Sequence, residues 1–260
     1  MRDAQPVVES HNLVVRFGGL TAVDGASLSA SPASITGLIG PNGAGKTTTF
    51  NAISGLQKPT SGRIDLHGQD VTSKSPTARA ARGLGRTFQR VELFTSLSVL
   101  ENVAMGHEAG IAGSNPLRQL MARRVERRTS LETARTALEL CGISDLAHRG
   151  PGDLSTGQRR LVELARVCAG DFSVLLMDEP SSGLDKLETA RFGEILQGLV
   201  ANRGLAILVV EHDMNLVLGI CDYIYVLDFG KIIFHGTGPE VTASPLVRSA
   251  YLGREAALTS

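Results

Sequence analysis

Ile35-Thr36-Gly37-Leu38-Ile39-Gly40-Pro41-Asn42-Gly43-Ala44-Gly45-Lys46-Thr47-Thr48-Thr49 is the stretch on which the reading of this chain turns. Ile35–Ile39 is a short apolar run of β type that ends in a glycine-rich turn, and Lys46–Ser54 reads as a helix. Gly40 to Thr47 fits the phosphate-loop pattern G-x-x-x-x-G-K-[ST]. Glycines let the backbone curl so that successive N–H groups point inward at an anion. The helix that follows brings its positive end to the same point. Lys46 is placed to reach the outer phosphates of a nucleotide, and the Thr47 hydroxyl to ligate Mg²⁺. A chance match in a chain of this length is on the order of one in a hundred.

Downstream, Val174-Leu175-Leu176-Met177-Asp178-Glu179 is an apolar strand ending in two carboxylates. In phosphate-loop ATPases the first such Asp holds Mg²⁺. The second, Glu179, sits one residue nearer the γ-phosphate, where it can orient and deprotonate water. Leu154-Ser155-Thr156-Gly157-Gln158 opens another helix, with Ser155 or Thr156 near the N-cap. Its backbone N–H groups form a second anion-binding end.

The rest of the chain sets this core in context. Val7–Val15 and Thr21–Leu28 read as strands, with a short one at Arg63–Leu66, a helix at Pro76–Arg82 and a strand at Leu84–Phe88. From about Ser98 to Leu146 apolar residues recur at three- and four-residue steps (Leu117, Leu120, Met121, Val125, Leu131, Ala134, Leu138, Cys141), which is helical spacing with one buried stripe. Arg118, Arg123, Arg124, Arg127, Arg128 and Arg135, against Glu126 and Glu132, give that segment a basic face, which reads either as a solvated helix face or as a docking surface for an acidic partner or anionic lipid. After Gly157, helices at Gln158–Ala169, Leu187–Val200 and Asn215–Ile220 alternate with strands at Val174–Met177 and Leu205–Val210. Apolar strands without polar alternation belong to a parallel sheet. Tyr223–Leu227 and Lys231–His235 read as a hairpin around Asp228–Gly230, and the tail from Pro239 as short and helical at best.

Composition narrows the function. The 260 residues are 42% hydrophobic and 20% charged, which fits a folded protein and excludes disorder or a collagen-like repeat. Lys plus Arg is 26 and Asp plus Glu is 26, a balance that argues against a dedicated nucleic-acid binder. Cys141, Cys168 and Cys221 are scattered along the sequence and read as small buried residues in a reducing compartment, neither a disulfide framework nor a metal pair. No signal peptide is expected, and no apolar run approaches the roughly 20 residues of a spanning helix.

Taken together, these motifs resemble the ATPase subunit of an ABC transporter over nearly the whole chain. The resemblance implies a single domain over residues 1–260: an α/β phosphate-loop NTPase core with a mixed or parallel sheet, an N-terminal antiparallel β subdomain, and an inserted α-helical subdomain at about 91–156. It implies ATP and Mg²⁺ as cofactors. The nucleotide would be held by Phe17 against adenine, by Gly40, Pro41, Asn42, Gly43, Ala44, Gly45, Lys46, Thr47 and Thr48, and by a partner's equivalents of Ser155, Thr156, Gly157, Gln158 and Asp185. Metal ligands would be Thr47, Gln89 and Asp178; Glu179, His212 and Gln89 would serve catalysis. The family's signature is usually Leu-Ser-Gly-Gly-Gln, and Thr156 departs from it at the dimer interface.

Arg16 to Val23, Gly85 to Arg90, Val99 to Val103 and Ala250-Tyr251-Leu252-Gly253 are similar to the branched-chain amino-acid importer ATPases. The expected partners are transmembrane permease subunits, a second ATPase subunit and, indirectly, a solute-binding protein, with no nucleic acid. The expected location is the cytoplasmic face of the cell membrane. ATPases of amide, urea or other small-solute transporters, of exporters, or of soluble ABC proteins are the competing readings, with a phosphate-loop kinase and a non-catalytic nucleotide-sensing module beside them.

Overall fold

A computed structural model describes residues 5–87, 92–112 and 123–258. Gln89, with Phe88 and Arg90, lies outside the described residues, as does the 113–122 part of the basic insert.

Strands β1 (Val8–Phe17), β2 (Leu20–Ala30), β4 (Ser61–Leu66) and β5 (Gln69–Asp70) form an antiparallel sheet in the order β2-β1-β4-β5. A second sheet runs β10-β9-β3-β8-β7-β6, from β3 (Ser34–Ile39), β6 (Leu84–Arg86), β7 (Val174–Asp178), β8 (Ala206–Val210), β9 (Tyr223–Asp228) and β10 (Lys231–Gly236). Every pairing in it is parallel except the β9–β10 edge hairpin. Among the described residues, the strand expected at Leu84–Phe88 spans Leu84–Arg86, and Thr87 N–H still donates to Leu176 O at 2.9 Å.

Strand periodicity assigns the two faces of this sheet. Leu175, Met177, Ile207 and Val209 point into one apolar cluster, which the helices α3 (Val99–Ala112), α4 (Arg123–Leu140), α5 (Thr156–Cys168) and α6 (Lys186–Arg203) complete. Val174, Leu176, Leu208 and Val210 point the other way, onto α1 (Lys46–Ser54) and the antiparallel sheet. Both faces are covered, so β7 and β8 are buried at every position, whereas β1 alternates. Each such buried aliphatic side chain contributes about 1.5–3 kcal/mol.

Parallel register brings several carboxyl ends to one edge. Asp178 pairs with Val210, Leu38 with Val210, and Ile39 with Val226. The turn after β3, the acids after β7 and the segment after β8 therefore emerge together, where open α/β sheets place their ligands.

One expectation needs correction. The tail, expected to be short and helical at best, forms two helices, α8 (Gly238–Ala243) and α9 (Pro245–Leu258), with Pro239 and Pro245 in their first turns. Val241, Val247 and Tyr251 anchor them on Ile39, Val217 and Ile224. Cys141 and Cys168, 27 positions apart in sequence, lie in the same apolar cluster, at the ends of α4 and α5. Both are free and buried. Two short α-helices remain, α2 (Pro76–Ala80) between β5 and β6 and α7 (Met214–Ile220) between β8 and β9, with 3-10 turns at Ser144–Leu146 and Pro151–Asp153. No helix among the described residues is long and apolar enough to cross a membrane.

Candidate functional site

The turn after β3 is set by backbone geometry that only glycine meets at little cost. Gly40 has φ 149° and Gly45 φ 104°. A Cβ at Gly40 would run into the Leu227 carbonyl, and one at Gly45 into that of Ala22. Gly45 caps α1 without a side-chain acceptor, so the first N–H groups of the helix stay available at its positive end. Lys46 is buried, and its Nζ donates to the carbonyls of Gly40 (2.7 Å) and Pro41 (3.0 Å). Thr47 is exposed at the mouth of the loop and Thr48 is half-buried.

A cleft of about 470 Å³ opens over this loop. It is lined by Phe17, Leu20, Thr21 and Ala22 from the first hairpin, by Asn42 to Thr48, by Glu179, and by Phe229 from the β9–β10 turn. Gly40 and Pro41 form the start of the same loop, held through Lys46.

Asp178 ends β7 almost fully buried. Burial pushes its carboxyl above the ordinary range; the guanidinium of Arg86 opposes this, Glu179 adds to it, and Lys46 opposes it. Arg86 bridges the site, with Nη1 donating to Ser54 Oγ (2.6 Å) and Nη2 to Asp178 Oδ2 (3.4 Å). Burial lowers the Arg86 pKa, with Asp178 opposing. Glu179 adopts φ 48°, an uncommon conformation for a non-glycine residue, while its N–H donates to Val210 O at 2.9 Å. This bend turns Glu179 into the cleft while Asp178 stays under the loop.

His212 is exposed after β8, with Nδ1 3.8 Å from Glu211 Oε2. It does not line the cleft. The signature residues lie elsewhere on the surface. Ser155 caps α5: its Oγ accepts from Gln158 N (3.2 Å), and its own N–H donates to Gln158 Oε1 (3.0 Å). Asp185 caps α6, with Oδ1 accepting from Leu187 and Glu188 N–H, both at 2.8 Å. The two caps touch. A Cβ at Gly157 would strike Glu188, and the Thr156 methyl is 3.2 Å from where a Cβ of Gly183 would stand. Ser155, Thr156, Gly157, Gln158 and Asp185 are thus gathered in one place, outside the cleft of their own chain.

Three residues escaped the sequence reading: Arg86, Glu211 and Phe229. Glu211 is completely buried; its Oε1 accepts from Ser181 N (2.8 Å) and its Oε2 from His212 N (3.2 Å). No local motif marks it. The hint for Arg86 was its alternate position on a strand ending beside β7.

Residues 23–182 match the family model described as ABC transporter. The chain belongs to the ABC transporter ATP-binding family. It is therefore an ATPase of that family. It is 39% identical over 253 residues to the high-affinity branched-chain amino acid transport ATP-binding protein LivG of Escherichia coli (strain K12), covering 96% of this chain and 99% of that one. Among solved structures it superposes with TM-score 0.83 and 32% identity on the ADP conformation of MJ1267, an ATP-binding cassette of an ABC transporter, covering 96% of this chain and 100% of that one. A dimeric post-hydrolysis state of the cassette MJ0796, bound to ADP and phosphate, matches with TM-score 0.72 and 25% identity over 88% of this chain and 98% of that one. The expected α/β phosphate-loop fold is the observed one.

Proposed function

We propose that this chain is the ATP-hydrolysing subunit of an importer for branched-chain or related amino acids, acting through separate transmembrane permease subunits. The likeness to LivG along nearly the whole of both chains supports the substrate class. The observation that carries the mechanism is the separation within one chain: the phosphate loop and Glu179 line the cleft, while the Ser155–Gln158 helix tip is not part of its lining. One chain therefore holds half of each of two sites, and a second ATPase subunit supplies the complement.

In this reading Phe17 meets the adenine, and the loop from Gly40 to Thr48 wraps the phosphates with backbone N–H groups. Lys46 leaves the Gly40 and Pro41 carbonyls for the outer phosphates. The partner's equivalents of Ser155, Thr156, Gly157, Gln158 and Asp185 close over the same nucleotide. Glu179 takes a proton from water as the water oxygen bonds to the γ-phosphorus; the bond to the bridging oxygen breaks, leaving ADP and phosphate. His212 holds the γ-phosphate, and Gln89 senses it.

The donors present suit Mg²⁺. Thr47 offers a hydroxyl and Asp178 a carboxylate beside Lys46, both hard oxygen ligands, and Gln89 would add an amide oxygen. Among the described residues no three His, Cys, Asp or Glu side chains cluster as an all-protein metal cage. Mg²⁺ is ordinarily held by one or two protein carboxylates together with substrate phosphates and water. Bound there, it would neutralise charge on the β- and γ-oxygens.

Closing and opening of the ATPase pair drives the permeases, because the γ-phosphate contacts favour the closed pair. The chain would work on the cytoplasmic face, with a solute-binding protein delivering substrate on the other side. Proteoliposomes containing the candidate permeases, this chain and its partner ATPase test the reading. ATP-dependent accumulation of radiolabelled leucine is expected; uptake that ignores ATP, or is unaffected by Glu179→Gln, would refute it.

A further inference from the structure

The β9–β10 hairpin carries a residue that the phosphate chemistry leaves unused. Asp228 pairs with Lys231, so Phe229 and Gly230 form a two-residue turn. Both have positive φ, 42° and 79°. That geometry is the type I′ turn, whose first central position favours Asn, Asp or Gly. A bulky aromatic ring there is a genuine outlier, and such outliers gather at functional sites.

The turn is fixed in place. Gly230 N–H donates to Ala44 O of the phosphate loop (2.9 Å), and Gly230 O accepts from Asp24 N–H (2.8 Å). Lys231 Nζ lies 3.2 Å from Asp24 Oδ2. Phe229 is thereby locked to the rim of the cleft that it helps to line, on the same rim as Phe17 and Leu20. These three large apolar side chains are 75%, 49% and 66% exposed. Exposed apolar groups converging on one mouth call for an apolar, flat occupant that comes and goes.

We infer that Phe229 is a specificity-determining residue that packs against the nucleobase, so that the base is held by aromatic rings from two hairpins, Phe17 from one and Phe229 from the other. This rests on the reading of the cleft as the ATP site. Phosphate recognition is blind to the base, whereas ring contacts are not, so Phe229 acts on the base-dependent share of affinity alone.

Calorimetry on the full chain with Mg·ATP and with inorganic tripolyphosphate separates the two shares. Phe229→Ala should weaken ATP binding about five- to tenfold and leave tripolyphosphate binding unchanged. Phe229→Asn should show the same loss while raising the unfolding midpoint, because Asn-Gly suits the turn. A purely structural role would move stability and affinity together. The chain has no Trp, so Phe229→Trp introduces a single indole, whose emission should be quenched by ATP and not by tripolyphosphate. Wild-type ATP affinity in folded Phe229→Ala and Phe229→Asn would overturn the inference while leaving the ATP site standing. A wild-type chain that binds neither probe would overturn both.

Discussion

Glu211 accepts the backbone N–H of Ser181 through Oε1 at 2.8 Å and that of His212 through Oε2 at 3.2 Å. One fully buried carboxylate therefore fixes both the segment after β7 and the segment after β8. Removing it leaves buried N–H groups without acceptors, at about 1–3 kcal/mol. Glu211→Ala should destabilise by that amount in urea unfolding and lower ATP turnover. Glu211→Gln keeps one acceptor and should fall between. Unchanged stability in Glu211→Ala would mean that water replaces the carboxylate.

Glu179→Gln should lower phosphate release by at least about a hundredfold while preserving ATP binding. The amide keeps the size of the side chain and loses the proton acceptor. ATP should then trap a closed pair, visible as a doubled mass in light scattering. Near-normal hydrolysis would remove Glu179 from the base role.

Lys46→Ala removes a cation that already holds the loop through the Gly40 and Pro41 carbonyls. Nucleotide affinity measured by calorimetry should drop at least about tenfold, the order expected from losing a charge-assisted hydrogen bond. Unchanged affinity would count against the loop as the phosphate site.

Arg79 is 1% exposed and is spent on main-chain carbonyls: Nη1 on Ala52 and Ile53, Nη2 on Thr72 and Nε on Lys74. It closes the carboxyl end of α1, whose other end forms the phosphate loop. Burial lowers its pKa, opposed by Asp70. Arg79→Ala should cost at least about 3 kcal/mol, because several buried carbonyls lose their donor at once. A thermal midpoint within a degree or so of wild type would contradict this.

Burial pushes the Cys221 thiol up to about 12 from an ordinary 9, with Asp222 and Glu211 adding to the rise. The folded chain therefore holds this proton more tightly than the unfolded one. The corresponding stability is complete below about pH 9 and is lost as pH climbs towards about 12. Guanidinium midpoints of wild type should fall more steeply between about pH 8 and about pH 10.5 than those of Cys221→Ala. Parallel curves would contradict the assignment.

Legibility followed sequence distance. The Gly40–Thr48 loop could be read directly because its chemistry is local: glycines, a helix start and one lysine in a row. The buried strands Val174–Asp178 and Ala206–Val210 were legible because continuous apolar runs have few other solutions. Glu211 was not, since its role needs a partner 30 residues away. Phe229 was read as turn because nothing nearby says that the turn lands on Ala44. Cys141 and Cys168 come to share one apolar cluster only when two helix ends pack. The last helix is longer than the short helical tail expected from Pro239, because Pro245 opens it in its first turn and Val247 and Tyr251 find apolar partners far away in the sequence.

The thread from His212 through Glu211 and Ser181 to Gly183, and across to the Thr156 methyl, stays within one chain. In the proposed pair its ends belong to opposite nucleotides: the histidine faces one, and the serine-led tip the other. A shift of the short strut between them would be felt at both, so the two engines of the motor would fire with knowledge of each other rather than as independent cylinders.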